Sequence, residues 1–336
     1  MLDQVTIDHA SKTPIYRQIA ASIGKQIDKN QLQKGVVLPS INIFSEQFSV
    51  ARDTVERAYK ELRKNGYVSS IKGRGYFVNG KTQQRLRILL VLNKLSSFKK
   101  IVYYSFLETL GNKATVDLQI HHYNPLLFKE IIENNLGNYN HYVVMPHFEL
   151  AASKKLYMDT IKMIPRNELL LLDKAIPELT KAMSVAQDFK RDVYDALIEL
   201  QDSFLKYKEI ILVFPVLINH PPEIIEGVKS ICKKYDKPLK VVSNVGSVKL
   251  SAGQAFIVIE EDDLVMLIKK IRFTQFKIGE DIGIVSFNET PLKDLLDITV
   301  ISTDFAEMGK IAAEIILTNQ YKQVRNPFQI IKRLSF

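Results

Sequence analysis

The chain has 336 residues, 46% of them hydrophobic, and its 46 Lys and Arg against 37 Asp and Glu give a formal net charge of +9. Its longest uninterrupted apolar run, 210–218, is far shorter than the roughly 18 to 20 residues that cross a bilayer as a helix, which argues against a membrane protein. The single cysteine, Cys232, excludes an internal disulfide, and residues 1–13 mix acids with polar groups unlike a signal peptide, so a soluble cytoplasmic protein is expected.

A length of this order suits a small domain joined to a large one. The charge is divided in the same way. The first 85 residues carry 14 Lys and Arg against 7 Asp and Glu, whereas the other 251 carry 32 against 30. Positive charge gathered in one small module is what neutralising a phosphate backbone requires.

Thr13-Pro14 is a favourable helix entry, a hydroxyl for the orphan amides followed by a fixed φ. Ile15, Ile19, Ile23 and Ile27 then repeat every fourth residue and form an apolar stripe. Ser40 opens a second, shorter helix, with Ile43, Phe44 and Phe48 expected to point inward. In a third helix Val55, Ala58, Tyr59 and Leu62 fall at i, i+3, i+4 and i+7, which leaves Asp53, Glu56, Arg57 and Lys60 outward. Gly66 suits a left-handed helix end. Tyr67-Val68 and Tyr76-Phe77-Val78 alternate as two short strands around the tip Lys72-Gly73-Arg74-Gly75.

A helix, a turn, a second helix and a hairpin in this order make a winged helix-turn-helix. The first turn of the later helix of the pair enters the major groove, where an arginine makes a bidentate contact with guanine. Arg52 stands there, and Ser40, Asn42, Ala51, Asp53, Thr54 and Arg57 are expected to support it or meet phosphates. Lys72, Gly73 and Arg74 at the hairpin tip suit the phosphate backbone or the minor groove.

The residues that carry this reading are Leu38-Pro39-Ser40, Ser49-Val50-Ala51-Arg52-Asp53-Thr54-Val55, Gly66 and Lys72-Gly73-Arg74-Gly75-Tyr76. With them the segment 13–79 resembles the gluconate-repressor (GntR) family of bacterial transcription factors. Two departures stand out. Ile41-Asn42 replaces the family's acidic-basic pair, and Ala51 replaces its more usual serine, so the resemblance implies an operator differing in detail from those of better-matched relatives.

Residues 80–86 are polar and read as a linker, which places the DNA-binding domain at 1–79 and a second domain at 87–336. Ile88-Leu89-Leu90-Val91-Leu92 is then continuously apolar, as in a strand buried on both faces of a parallel sheet. Further strands are expected at 116–121, 142–145, 169–172, 210–214, 239–243, 256–259, 282–287, 299–302 and 328–331. Helices are expected between them, including 188–207, 222–235, 262–273 and 304–319. The fold class is α/β, with one or two doubly wound parallel sheets.

Val185-Ala186-Gln187-Asp188, Glu261-Asp262-Asp263-Leu264, Ser286-Phe287-Asn288-Glu289-Thr290-Pro291, Thr303-Asp304-Phe305-Ala306-Glu307-Met308-Gly309 and Ile331-Lys332-Arg333 carry a second likeness. They resemble the effector domain of the lactose-repressor (LacI) family, itself similar to periplasmic sugar-binding proteins. A GntR-like reader coupled to such a sensor resembles arabinose-type repressors. The resemblance implies two lobes joined by three chain crossings, lobe one holding 86–190 and 304–323, with a small molecule in the cleft. It implies Asp173, Asp188, Glu261, Asp262 and Asn288 as partners for hydroxyls and Phe305 as an aromatic platform. Asn93, Ser96, His147, Arg191 and Asn244 are weaker candidates. Asp188 and Asp304 equally suit helix caps, Phe305 suits a core, and the acids at 260–263 suit a helix start favoured by the macrodipole.

Catalysis has little support. His9, His121, His122, His141, His147 and His220 lack metal-ligand spacing, and Gly73-x-Gly75 has neither a third glycine nor a βαβ setting. No metal and no cofactor is expected. The sequence thus implies a homodimeric transcription factor, a repressor of a near-palindromic operator, governed by a sugar or sugar derivative. A purine or other metabolite as effector is the alternative, and a sugar-modifying enzyme a more remote one.

Overall fold

The computed structural model describes every residue except 1–4, 6, 9–10, 12, 72, 80–84, 150–151, 181 and 216–219. By packing, the chain forms two compact units. The first comprises Met1–Leu89, Leu110–Asp117 and Glu130–Tyr142, and the second Leu90–Thr109, Leu118–Lys129 and Val143–Phe336. Most of the linker expected at 80–86 lies outside the described residues.

Within the first unit, helices α1 (Ile15–Asp28), α2 (Ile41–Phe48) and α3 (Arg52–Lys64) precede a hairpin of β1 (Val68–Ile71) and β2 (Gly75–Val78). Ile19, Ile23 and Ile27 are fully buried with Phe44, Val55, Ala58, Tyr59 and Leu62, so the two apolar stripes read from spacing form one core. Tyr59 anchors it. Its ring meets Phe44 and Tyr76 edge-on at 5.9 and 4.9 Å between centroids, and its hydroxyl donates to Pro39 O at 2.9 Å. Gly66, at φ 76°, ends the last turn after α3 in the left-handed region that glycine adopts freely.

Two expectations fail here. Pro14, not Thr13, is the residue before α1, and it supplies no side-chain cap. Ile43 is 57% exposed, because Ile41, Phe44 and Phe48 lie three and four residues apart on one face and Ile43 falls outside that stripe.

The remaining elements are strands and helices, mostly in alternation. They are β3 (Leu86–Leu92), α4 (Ser97–Leu110), β4 (Ala114–Ile120), α5 (Pro125–Asn135), β5 (His141–Val144), α6 (Lys154–Lys162), β6 (Leu169–Asp173) and β7 (Met183–Ala186). There follow α7 (Phe189–Glu199), α8 (Gln201–Lys206), β8 (Glu209–Val213), α9 (Glu223–Lys234), β9 (Leu239–Val242), β10 (Gln254–Val258) and α10 (Glu261–Arg272). The chain continues with β11 (Ile282–Phe287), α11 (Pro291–Leu295), β12 (Thr299–Thr303), α12 (Phe305–Thr318), β13 (Gln323–Arg325) and β14 (Phe328–Ile331).

Two six-stranded sheets result, ordered β13-β7-β6-β5-β3-β4 and β14-β12-β11-β10-β8-β9. The chain leaves the first sheet after β7, returns through α12 to β13, and crosses again into β14. Those are the three crossings of the two-lobed architecture. In the second sheet neighbouring residues serve opposite faces. Ile210, Leu212, Ala255 and Ile257 enter one hydrophobic cluster, and Ile211, Val213, Phe256 and Val258 the other. Burial on both faces explains the continuous apolar runs of the strands.

Strands β7 and β13 were not among those expected, and the helix expected at 188–207 divides at Leu200, which has φ −97° and ψ 13°. Where α12 passes α4, a Cβ on Gly309 would sit 2.3 Å from the Val102 carbonyl oxygen, so glycine there permits the close approach.

Candidate functional site

On the helix-turn-helix, Ser40 accepts a hydrogen bond from Ile43 N at 3.3 Å and so caps α2. Ala51 precedes α3 without capping it, and Arg52 and Asp53 are exposed on its first turn with Thr54 half-buried. Asn42 is exposed on α2. Arg57 lies over the Tyr16 ring at 4.7 Å, which ties it to α1. In the wing, Gly73 has φ 77°, and Arg74 is exposed and donates its amide to Ile71 O at 2.9 Å. Lys72 lies outside the described residues. Arg63 Nη1 donates to Ser70 Oγ at 3.0 Å, fastening β1 to α3.

The second unit holds a cavity of about 350 Å³ at the carboxyl ends of strands, where parallel sheets place their ligands. Its most tightly built part is Asp173, only 4% exposed and in the left-handed region at φ 72°. Lys99 Nζ lies 2.6 Å and His147 Nε2 2.8 Å from its Oδ2, while Gln187 Nε2 donates to Oδ1 at 2.6 Å. Gln187 Oε1 in turn accepts from Thr303 Oγ1 at 2.5 Å. Burial alone would raise the Asp173 carboxyl, but Lys99 and His147 outweigh it and hold the group below its ordinary range.

Around this network Phe305 stacks on Phe98 with centroids 5.0 Å apart. Glu261 accepts from Thr290 Oγ1 at 2.8 Å. Lys293 Nζ donates to Phe287 O at 2.5 Å and Asn288 O at 2.8 Å, and burial pushes its ammonium down. Glu260 Oε1 lies 2.8 Å from His220 Nε2, and that contact lowers the Glu260 carboxyl.

Two buried acceptors lining the cavity have no hydrogen-bond partner among the described residues, Asn93 Oδ1 and Asp192 Oδ2. Asp192 Oδ1 accepts from Arg325 Nε at 2.7 Å, yet burial pushes the carboxyl up to about 6. A ligand with hydroxyl donors would satisfy both atoms.

The model of bacterial regulatory proteins of the gntR family matches residues 15–78. The HTH-type transcriptional repressor NagR of Bacillus subtilis (strain 168) is 39% identical over 75 residues, which are 22% of this chain and 31% of NagR. The HTH-type transcriptional repressor YtrA of the same organism is 30% identical over 96 residues, 29% of this chain and 71% of YtrA. The chain belongs to the gntR family of bacterial regulatory proteins. It spans less than a third of NagR's length. The crystal structure of a LacI family transcriptional regulator from Enterococcus faecium with bound ribose aligns with a TM-score of 0.57 and 18% identity, over 74% of this chain and 98% of that one. This gntR-family chain therefore couples a winged helix-turn-helix to the LacI-type two-lobed fold.

Of the residues implied for the gntR chain's cleft, Asp173, Glu261, Asn288 and Phe305 line one cavity. Asp188 and Asp262 do not. Asp188 Oδ1 turns to the backbone and caps α7 through Arg191 N at 3.1 Å, and Asp262 is exposed on the first turn of α10. Asn93, Ser96 and His147 line the cavity. Arg191 instead pairs with Asp195 at 3.4 Å, and Asn244 is exposed beside Ser243. Sequence reasoning missed Lys99, Asp192 and Lys293, which have no local spacing signal, and Thr303 entered only within the string that opens α12. Gln187 was legible only as part of the string before α7. Elsewhere, burial brings His121 down to about 4 between Phe128 and Phe148, and raises the Cys232 thiol in α9 to about 11. Among the described residues no group of three or more His, Cys, Asp and Glu is placed to hold a metal ion.

Proposed function

We propose that this chain is a cytoplasmic transcriptional repressor that binds operator DNA as a homodimer and is controlled by a sugar-like effector in the cleft. The DNA part rests on family membership, on the exposed Arg52 at the start of α3, and on the excess cation of the first 85 residues. A single such module meets one half-site, so two copies related by a two-fold axis suit a palindrome. No catalytic role is assigned to the cleft.

The observation that carries the effector part is the cavity at the strand ends with its two unpartnered buried acceptors, Asn93 Oδ1 and Asp192 Oδ2. Ribose in the Enterococcus faecium regulator of the same fold supports a sugar. Because the chain crosses between the sheets three times, a ligand touching both walls favours one lobe arrangement over others. By linkage, it alters DNA affinity only as far as it binds the DNA-bound and free forms differently.

The test is gel retardation of the DNA upstream of its own coding sequence together with thermal shift against pentoses, hexoses, deoxysugars and their phosphates. Arg52→Ala should weaken the retarded band and keep the sugar-dependent shift, whereas Phe305→Ala should keep the band and lose the sugar response. Retardation by Arg52→Ala equal to that of the parent removes α3 as the reader, and an unchanged sugar response in Phe305→Ala removes Phe305 from the site.

A further inference from the structure

The cavity has two unlike walls. One, at the strand ends of the first sheet, is polar and includes Asn93, Lys94, Ser96, His147, Asp173 and Gln187. The other combines polar groups, Glu260, Glu261, Asn288, Thr290 and Lys293 among them, with an apolar patch at the end of a core. Val193, Ile224, Ile259, Phe287, Ile301 and Phe328 line that patch, and all six belong to or pack against one hydrophobic cluster beneath the second sheet. No side chain among these six offers a donor or an acceptor. A hydroxyl pressed on that floor would lose its water without gaining a partner, whereas a methyl group would gain contact. The need for donors lies elsewhere, at Asn93 Oδ1 on the polar wall and at Asp192 Oδ2 on the rim of the floor, both over nine-tenths buried.

We infer that the effector is a sugar with a methyl-bearing substituent in place of one hydroxyl, as in a 6-deoxyhexose or an acetamido sugar. The methyl group sits on the floor formed by Val193, Ile224 and Ile301, and the remaining hydroxyls face Asn93, Asp192 and the polar wall. This rests on the reading of the cleft as a sugar site and narrows it to one chemistry.

Titration calorimetry of the full chain with matched pairs tests it. The pairs are L-fucose against L-galactose, L-rhamnose against L-mannose, and N-acetyl-D-glucosamine against D-glucose. In at least one pair the methyl-bearing sugar should bind roughly 10- to 200-fold more tightly, the range by which one alkyl group discriminates in an apolar pocket. Which pair does so separates a deoxy from an acetamido ligand. Ile224→Thr, which places a hydroxyl on the floor, should bring that ratio towards one, and Asn93→Ala should weaken both members of the pair alike. Circular dichroism establishes that each variant is folded, and Ile301→Thr replaces Ile224→Thr if the latter is not. A hydroxylated sugar that binds as tightly as its methylated counterpart overturns the inference and leaves the sugar reading standing. Failure of every sugar to bind overturns both, and adenine or guanine binding in their place identifies a purine site.

Discussion

Replacing Asp173 by asparagine tests how the cleft wall is held. Asparagine matches aspartate in shape and tolerates the left-handed conformation at φ 72°, so Asp173→Asn removes the charge with little backbone strain. It strands the Lys99 ammonium, which is 8% exposed and has its partner at 2.6 Å. Breaking a buried ion pair by removing one member costs about 3–5 kcal/mol. The amide oxygen still accepts one hydrogen bond, so the lower end, about 3 kcal/mol, is expected. Urea unfolding of the full chain near pH 7.5, followed by circular dichroism, reads this as a midpoint lowered by about 1 M or more. The folded carboxyl lies below its ordinary range, so its stabilisation is complete above the unfolded pKa of about 4 and is lost as pH falls through the lower folded value. The deficit should therefore persist across neutral pH and narrow only in acid. Adding Lys99→Met removes the stranded charge and should recover most of the loss. A loss below about 1 kcal/mol, or no recovery in the double variant, would refute the ion-pair network as the support of this wall.

Arg52→Ala should weaken operator binding by about 1–3 kcal/mol and relax the choice at one base pair, whereas Arg74→Ala should weaken all sequences alike and flatten the salt dependence by about one unit of slope. Equal loss of specificity in both variants, measured by binding to a set of point-substituted operators, contradicts that division of roles. Because burial holds the Asp192 carboxyl up at about 6 and a hydroxyl donated to Oδ2 favours the ionised form, effector affinity should rise as pH climbs through that value. A calorimetric profile that is flat between about pH 5 and 7 would remove Asp192 from the ligand's partners. Gly309→Ala must push α12 away from the Val102 carbonyl and should cost about 1–3 kcal/mol in thermal unfolding. A melting curve like the parent's shows that the two helices separate freely.

Much of the reader was legible because its signals are local. The spacing of Val55, Ala58, Tyr59 and Leu62 fixes the buried face of α3, and Gly66 ends the turn after it. Ile43 was misplaced because it neighbours Phe44 in sequence, and adjacent helical residues lie about 100° apart. In the two-sheet part, continuous apolar runs revealed the central strands. The four-residue β7 carries Ser184 within it, and β13 is a three-residue edge of mixed polarity, so neither has that mark. Strand ends located the cleft but not the direction of each side chain. Asp173 and Asp188 read alike in sequence, yet one is buried under Lys99 and the other caps a helix. The bond from Thr303 to Gln187 joins residues 116 apart and that from Lys99 to Asp173 residues 74 apart, distances over which periodicity carries no information.

One chain is proposed to read duplex DNA and to release it in answer to a small molecule. Fluorescence anisotropy of a labelled duplex from upstream of its own coding sequence, titrated with the full chain with and without the sugar that binds the cleft, measures this directly. Tight binding at low ionic strength that weakens steeply with salt is expected, with a further loss of affinity when the sugar is present. No binding to any such duplex, or an affinity the same with and without the cleft's ligand, would contradict this proposal.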